Sequence, residues 1–429
     1  MEYYVHTRYG PWHRFRIQIA GGMIAAFAPY LLRLTMTLGD PRLLVGTSNG
    51  IAVLHLTFLF SFLSIVAGTL TMRSMARYPG VEGSASILPA FSLTFGFMLV
   101  LLVMGRIEYN RFVLAGSYVL VVLWFYLVHF KEQRRALRIG IIPNAPIDPV
   151  LSSIRRVVPV LLNSPDNSVT NIDAIAVDLR VDMSPEWERR LADYALEGLQ
   201  VFHIKHLIES LTGQIALEHL SETSYGTLSP SSLYLISKQV IDWLTALVAL
   251  IVLSPLLIAL ALAIRLDSKG PAIFRQRRVG YRGEPFTVYK FRTMTHSISQ
   301  PEQLRSAMTM NNDARITRLG GILRQTRIDE LAQIFNVLKG QMSWIGPRPE
   351  AEVLSRWYET NIPFYRYRHI VRPGITGWAQ VNQGHVAELE DVTSKLHYDF
   401  YYIKNFSPWI DMLIVVRTIK TMLTGFGAR

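Results

Sequence analysis

The chain has 429 residues, half of them hydrophobic and only 18% charged, against roughly 25% charged in an average soluble domain. It contains no cysteine and carries a formal charge of +12, which rules out disulfide scaffolds and thiolate metal centres and fits a cytoplasmic working face. A basic excess suits anionic lipid, nucleic acid or a phosphorylated substrate. No zinc finger, RRM signature or comparable motif is present, so nucleic acid is not an expected partner.

Apolar runs at residues 17–38, 51–72, 85–105 and 112–130 are each long enough to cross a hydrocarbon core of ~30 Å. The first follows Arg8, Arg14 and Arg16 and contains Ala26-Phe27-Ala28, as a signal peptide would, but it stays apolar to Leu38, which favours an uncleaved helix. Arg33 is the one awkward charge, close enough to an end to snorkel or pair. Basic residues recur at Arg73 and Arg77 and at Lys131, Arg134, Arg135 and Arg138, while Asp40 with Arg42 and Arg106 with Glu108 are mixed. Loop charge therefore predicts four spans with both ends in the cytoplasm.

Residues 137–142, 157–162, 174–179 and 201–204 read as short buried strands. A helix is predicted over 184–200, with Ser184 as N-cap and Pro185 at its first position,. This predicts a small α/β layer domain. The first strand runs into Pro143-Asn144-Ala145-Pro146 where a dinucleotide would need a glycine-rich turn, so regulation or assembly is the expected role. None of the 11 histidines forms a metal pattern; His203 and His206 read as ordinary surface residues.

A fifth apolar run covers 241–266 and is interrupted by Ser254-Pro255, where proline removes a helical hydrogen bond. Lys238 precedes it, and Arg265, Lys269, Arg275, Arg277 and Arg278 follow. Positive charge after the run favours a return to the cytoplasm. The expectation is a re-entrant helix over 238–266 that bends at Ser254 and Pro255; an ordinary kinked transmembrane helix stays open.

Beyond Lys269 the chain becomes basic and polar. Lys290 and Arg292, two apart in a strand-like segment, share a face,. Asp313-Ala314-Arg315-Ile316-Thr317 leads into a helix carrying Arg324. Thr326 and Asp329 have capping-box spacing, and Ile328, Leu331, Ile334, Phe335 and Leu338 recur at helical intervals up to Gly340,. Asp329 and Glu330 are thus predicted in a first helical turn, where the macrodipole favours negative charge and a phosphate can bind. Acids in a first turn are commonly caps and nothing more; the arginines around this pair suggest phosphoryl chemistry.

Lys269-Gly270-Pro271, the block Tyr289-Lys290-Phe291-Arg292-Thr293-Met294, Asp329-Glu330 with Asn336-Val337-Leu338-Lys339-Gly340, Gly346-Pro347-Arg348-Pro349, and the run from Arg372 through Gln380 follow one another in a fixed order. Over residues 237–429 this series resembles the bacterial sugar transferases, that is, the polyprenyl-phosphate hexose-1-phosphate transferases or monotopic phosphoglycosyl transferases. With four spans and a middle domain ahead of it, the chain resembles the large form of that family. Arg327 stands where the family usually has serine, and Ala332 where proline is common; arginine adds charge near phosphate and alanine favours helix.

The expected fold is an α+β membrane protein. A four-helix N-terminal transmembrane bundle occupies 1–130, a cytoplasmic Rossmann-like α/β domain 131–230, and a monotopic catalytic domain with the re-entrant helix 231–429. The resemblance implies transfer of a sugar 1-phosphate from a UDP-sugar to undecaprenyl phosphate, with release of UMP, at the cytoplasmic face of a bacterial inner membrane. That reaction initiates exopolysaccharide, capsule or O-antigen assembly, and glucose or galactose is the first expected sugar. Asp329 would be the nucleophile of a covalent phospho-sugar intermediate, and Glu330 would hold Mg²⁺. Lys290, Arg292, Arg324, Arg348 and Arg372 would cradle phosphates, and Asp399 would be a further polar site residue. Self-association as a dimer is left open. The alternative from another class is a catalytically silent scaffold that binds polyprenyl phosphate and organises other enzymes.

Overall fold

The four N-terminal apolar runs form long helices, α1 (Pro11–Gly39), α2 (Gly50–Met75), α3 (Gly83–Met104) and α4 (Arg111–Glu132). The structure is a computed structural model that describes residues 11–39, 50–75, 83–132, 137–142, 157–165, 172–178, 180–197, 199–215, 230, 232–295, 315–383 and 389–424. Among the charges expected to orient the helices, Arg8, Asp40, Arg42, Arg77, Arg134 and Arg135 lie outside the described residues, as do residues 143–146 and 313–314. By contact the chain divides into two units, Met1–Gly213 and Gln214–Arg429.

In the first unit, α1 runs unbroken through Ala26-Phe27-Ala28. The helices expose Ile24, Leu32, Leu59, Phe97 and Leu127, a surface that a hydrocarbon surround stabilises. Where helices touch, small and aromatic residues meet. A Cβ on Gly21 would fall inside the Trp124 ring, so glycine is what allows α1 and α4 their close approach. Arg33 lies 5.6 Å from the Phe112 ring centroid, the cation–π partner that an intramembrane charge needs. Five helices, these four and one later, are long and apolar enough to cross a membrane; the chain is a membrane protein.

The strand-like runs form β1 (Leu137–Ile141), β2 (Val157–Leu161), β3 (Ala174–Val177) and, after helix α5 (Pro185–Leu196), β4 (Gln200–His203), which leads into α6 (Ile204–Thr212). All pairings are parallel, in the order β2-β1-β3-β4. Alternation along the strands sends Ile142, Ile175 and Val177 towards Leu191 and Tyr194 of α5, and Ile139, Ile141 and Ala176 towards Leu207 of α6,. At the strand ends Arg180 holds Asp178 by two bonds of 2.9 and 3.0 Å, and His203 Nε2 lies 3.4 Å away. The Arg180 hydrogen bond is the main force drawing the Asp178 carboxyl down to about 2. A depressed carboxylate contributes stability above its unfolded value near ~4 and loses it as pH falls through the folded one. With Arg180 half exposed, the contribution is about 1–2 kcal/mol. In detergent, the gap in unfolding midpoint between the wild type and Asp178→Asn should be constant above pH 7, where the nearby His203 is neutral, and should narrow steadily from pH 4 to pH 2; a gap undiminished at pH 2 would exclude this pair as its source.

The second unit begins with α7 (Ser232–Asp267), continuous through Ser254 and Pro255. Proline at 255 orphans the carbonyl of Ile251, and the Ser254 hydroxyl donates to that carbonyl at 2.9 Å; the serine repairs locally what the proline removes. One face of α7 packs along the unit. Ala246 meets Val288, Ile334 and Met342, and Leu257 and Ile264 meet Phe291 and Leu323. The opposite face leaves Val240, Trp243, Val248, Val252, Ile258 and Leu262 exposed. Near the start of the helix, buried Lys238 pairs with Asp411 at 2.6 Å.

An antiparallel hairpin follows, β5 (Ile273–Val279) with β6 (Pro285–Phe291). Next come α8 (Arg318–Gln325), a 3-10 turn (Ile328–Gln333) and α9 (Ile334–Leu338). β7 (Ser343–Ile345), α10 (Glu352–Asn361), a second 3-10 turn (Tyr365–Ile370), β8 (Gly374–Thr376), α11 (Trp378–Asn382), α12 (Leu389–Lys404) and α13 (Pro408–Thr424) complete the unit. β7 and β8 pair in parallel.

Candidate active site

The predicted capping box does not form. Thr317 caps α8, its hydroxyl accepting from Gly320 N at 2.9 Å. Thr326 ends that helix instead of starting the next, and its hydroxyl donates back to the Ile322 carbonyl at 2.8 Å, the i−4 bond that competes with capping. Arg327 then takes a left-handed conformation, φ 56°, which costs a non-glycine residue about 1–2 kcal/mol. Strain of this kind at a turn is a common companion of function. It sets Asp329 and Glu330 at the start of a separate 3-10 turn, packed against β6.

Asn336 fixes that packing. Fully buried, it accepts from Tyr289 N at 3.1 Å and donates to the Thr287 carbonyl at 2.6 Å. β6 consequently presents Lys290 to the acidic pair. The Lys290 ammonium lies 2.9 Å from Glu330 Oε1, and Arg348, from the loop after β7, reaches the same oxygen at 2.5 Å. Glu330 is 8% exposed. Burial alone would raise its carboxyl, but Arg348 and Lys290 outweigh burial and hold it well below the usual carboxylate range.

Asp329 is the opposite case. Burial first, and then the Glu330 charge, raise its carboxyl, against partial relief from Lys290, Arg348 and Arg324. Proximity to a helical N-terminus was expected to favour its charge; burial and the neighbouring carboxylate win. Among the described residues nothing donates a hydrogen bond to its carboxylate. Lys290 is pressed by burial, and by Arg348 and Arg278, down to about 8 despite the pull of Glu330. Arg324, steadied by Thr293 Oγ1 at 2.9 Å, completes the cationic wall.

Three expected phosphate or site residues lie elsewhere. Arg292, 6% exposed, turns to the end of α7 and donates to the carbonyls of Ile264, Ser268 and Lys269 at 3.1, 2.6 and 3.1 Å. It sits one residue past the end of β6, so the period that would aim it with Lys290 no longer applies, and it satisfies helix-end carbonyls. Arg292→Met should cost about 2–4 kcal/mol of stability by orphaning these buried acceptors, with the KM of the folded enzyme for its donor unchanged. A raised KM at full stability would restore the phosphate role. Arg372 donates to the Gly340 carbonyl at 3.0 Å and lies over the Tyr281 ring, lining a cavity of about 440 Å³ with Lys238, Asp242 and Lys339. Asp399 is 1% exposed and pairs with Arg368 at 2.8 Å, so it reaches the acidic pair only through other side chains.

The residues that sequence reading missed form this supporting layer: Arg278, Glu350, Arg368 and Lys395. Glu350 pairs with Lys395 and lies 4.0 Å from Arg368; burial opposes its charge, but these cations hold its carboxyl far below the ordinary range. The one available sequence signal was the spacing of Tyr365 and Arg368, which eclipse in a 3-10 turn and bond at 2.6 Å.

Residues 233–425 match the bacterial sugar transferase family model. Over 371 residues the chain is 43% identical to a UDP-N-acetylgalactosamine-undecaprenyl-phosphate N-acetylgalactosaminephosphotransferase of Aeromonas hydrophila, covering 86% of this chain and 87% of the relative. It is 40% identical over 219 residues to a UDP-glucose:undecaprenyl-phosphate glucose-1-phosphate transferase of Xanthomonas campestris pv. campestris, covering 51% of this chain and 45% of that one. An Escherichia coli protein of the same name is 42% identical over 184 residues, 42% of this chain and 39% of its own. The chain thus spans under half the length of the two glucose-1-phosphate transferases and nearly all of the Aeromonas protein. With its acidic pair, cationic wall and motif order in place, the chain belongs to the bacterial sugar transferases and is a polyprenyl-phosphate hexose-1-phosphate transferase.

Proposed function

We propose that this enzyme moves a sugar 1-phosphate from a UDP-sugar to undecaprenyl phosphate through a phospho-sugar ester of Asp329. The observation that carries this reading is the division within the acidic pair: Glu330 is clamped by Lys290 and Arg348, while Asp329 is raised and accepts no hydrogen bond among the described residues. Adjacent carboxylates pushed apart in this way mark distinct chemical roles. An Asp329 oxygen attacks the phosphorus bearing the sugar, the bond from that phosphorus to the UMP oxygen breaks, and UMP leaves. An oxygen of undecaprenyl phosphate then attacks the same phosphorus and frees Asp329, leaving a lipid diphosphate sugar. Covalent catalysis divides one difficult displacement into two easier ones. Ester formation also removes from Asp329 a charge that burial and Glu330 disfavour, while Lys290, Arg324 and Arg348 neutralise phosphate oxygens.

Glu330 fits the role of a Mg²⁺ ligand. It stays ionised, and among the described residues its Oε2 is met only by Arg348 Nη1 at 3.3 Å. Among the described residues no group of three His, Asp or Glu could hold an ion alone, so substrate diphosphate oxygens and water would supply the remaining ligands, as is usual for Mg²⁺. When bound, the ion would neutralise diphosphate charge and assist UMP departure.

The Aeromonas relative, alike over nearly the whole chain, supports N-acetylgalactosamine as the sugar ahead of glucose or galactose. Contacts of α7 with one unit near both its ends, Lys238 with Asp411 and the last turn with Arg292, support a re-entrant helix and a catalytic unit on the cytoplasmic face of the inner membrane. A single cysteine at exposed Arg366, in a chain that has no other, should resist an impermeant maleimide in intact cells; labelling there would overturn that orientation.

The test of function is a panel of UDP-N-acetylgalactosamine, UDP-N-acetylglucosamine, UDP-galactose and UDP-glucose with the purified protein. UMP release should require undecaprenyl phosphate for sustained turnover and should stop when Mg²⁺ is chelated. Absence of a lipid-linked product from every sugar would overturn the reading and favour the scaffold.

A further inference from the structure

The loop that carries Arg348 cannot hold itself. Prolines at 347 and 349 remove two amide donors, and the segment lies outside the named strands, joined to β5 at its end by the isolated Arg278–Ala351 bridge, so its carbonyls need partners from elsewhere. Four consecutive carbonyls find them. Gly374 N donates to Pro347 O at 3.0 Å and Val279 N to Glu350 O at 3.2 Å. The two between are met by side chains: Arg368 Nη2 donates to Arg348 O at 2.8 Å, and Arg278 Nη1 to Pro349 O at 2.5 Å.

Both arginines are themselves pinned. Arg368, 3% exposed, also holds Tyr365 OH at 2.6 Å and Asp399 at 2.8 Å. Arg278 grips Gln276 Oε1 through Nε at 3.1 Å and Nη2 at 2.9 Å. A buried guanidinium is expensive unless paired, and its planar fork fixes direction as well as charge. With Gly374 N on the Pro347 carbonyl and the two arginines on the carbonyls of Arg348 and Pro349, the backbone is held on both sides of the Arg348 Cα, which fixes where that side chain points.

We propose that Arg278 and Arg368 are positioning residues that clamp the Arg348 loop so that the Arg348 guanidinium stays on Glu330, with Asp399 acting through Arg368. The clamp rests on the reaction proposed above for its catalytic consequence and not for its existence. Neither arginine touches the acidic pair among the described contacts; each acts through Arg348.

Arg368→Lys and Arg278→Lys keep the charge and lose the fork, so a positioning role and a charge role separate. Hydrogen exchange at the amides of Gly346, Arg348, Glu350 and Ala351 should accelerate selectively in each, with the rest of the unit protected as before. Turnover should fall by up to about 10²-fold, the scale of a 1 Å misplacement. Arg348→Ala combined with either lysine variant should be no slower than Arg348→Ala alone, because residues acting through one another are non-additive. Arg366→Gln, an exposed neighbour, should change neither readout. Unchanged loop exchange, or losses that multiply in the double variants, would overturn the clamp. If Arg368→Lys does not fold, Arg278→Lys, which leaves the Arg368–Asp399 pair intact, carries both readouts. A wild type without turnover would refute the proposed reaction, while the exchange measurement would still decide the clamp.

Discussion

Asp329→Asn should reduce turnover by about 10⁴-fold or more, the scale on which loss of a residue central to covalent catalysis is felt. It should do so at almost no cost in stability. The Asp329 carboxylate accepts no hydrogen bond among the described residues, and burial with the Glu330 charge already disfavours its ionised form. The neighbouring isosteric change should behave differently. Glu330→Gln leaves Lys290 and Arg348 buried without their shared anion, a loss worth about 3–5 kcal/mol when one partner of a buried pair is removed. Two adjacent carboxylates of similar size thus separate, one affecting chemistry alone and the other stability and activity together. Turnover and thermal midpoint measured on both variants check this. Near-normal turnover by Asp329→Asn, or equal destabilisation by the two, would contradict the roles assigned to them.

Gly374→Ala should abolish the folded second unit. A Cβ there would overlap Gly346 N and lie 2.6 Å from both Ile345 C and Thr376 O. All three are backbone atoms of the β7–β8 pair, so no side chain can move aside. Costs above about 4 kcal/mol belong to changes of this kind, and the Arg348 loop hangs from the same contact through Gly374 N and Pro347 O. Gly321→Ala is the control. Among the described residues its Cβ would meet nothing within 4 Å, and it sits inside α8, where alanine is favoured by up to about 1 kcal/mol. Yield of monodisperse protein and its unfolding midpoint read the difference; equal behaviour of the two variants would refute the steric argument.

Much of this fold was legible because periodicity survives context. The predicted strands at 137–142, 157–162, 174–179 and 201–204 match β1 to β4 to within a residue or two, since each is a short apolar run bounded by polar segments. Ser184 and Pro185 start α5 as predicted, although the Ser184 side chain makes no cap bond. Local rules failed where tertiary partners decide. Thr326 has the spacing of a cap and became a helix end because α8 claimed its hydroxyl. Arg292 shares a parity with Lys290 but lies beyond the end of β6, where α7 carbonyls compete for it. Arg372 occurs in the same motif series as Arg348, and Asp399 follows that series, yet motif order does not say which side chain faces the site and which holds the residue that does. The supporting layer of Arg278, Arg368, Glu350 and Lys395 carried little sequence signal beyond the Tyr365–Arg368 spacing, because a buried arginine and a surface arginine look alike until their partners are known.

The most direct test of the central claim is the intact mass of the enzyme after brief incubation with Mg²⁺ and its UDP-sugar in the absence of undecaprenyl phosphate. The expected result is a mass increase of one sugar phosphate, matched by stoichiometric UMP. The increase should map to the peptide containing Asp329, be absent from Asp329→Asn, and be discharged on addition of undecaprenyl phosphate. UMP release with no adduct, or an adduct on any other residue, would contradict it.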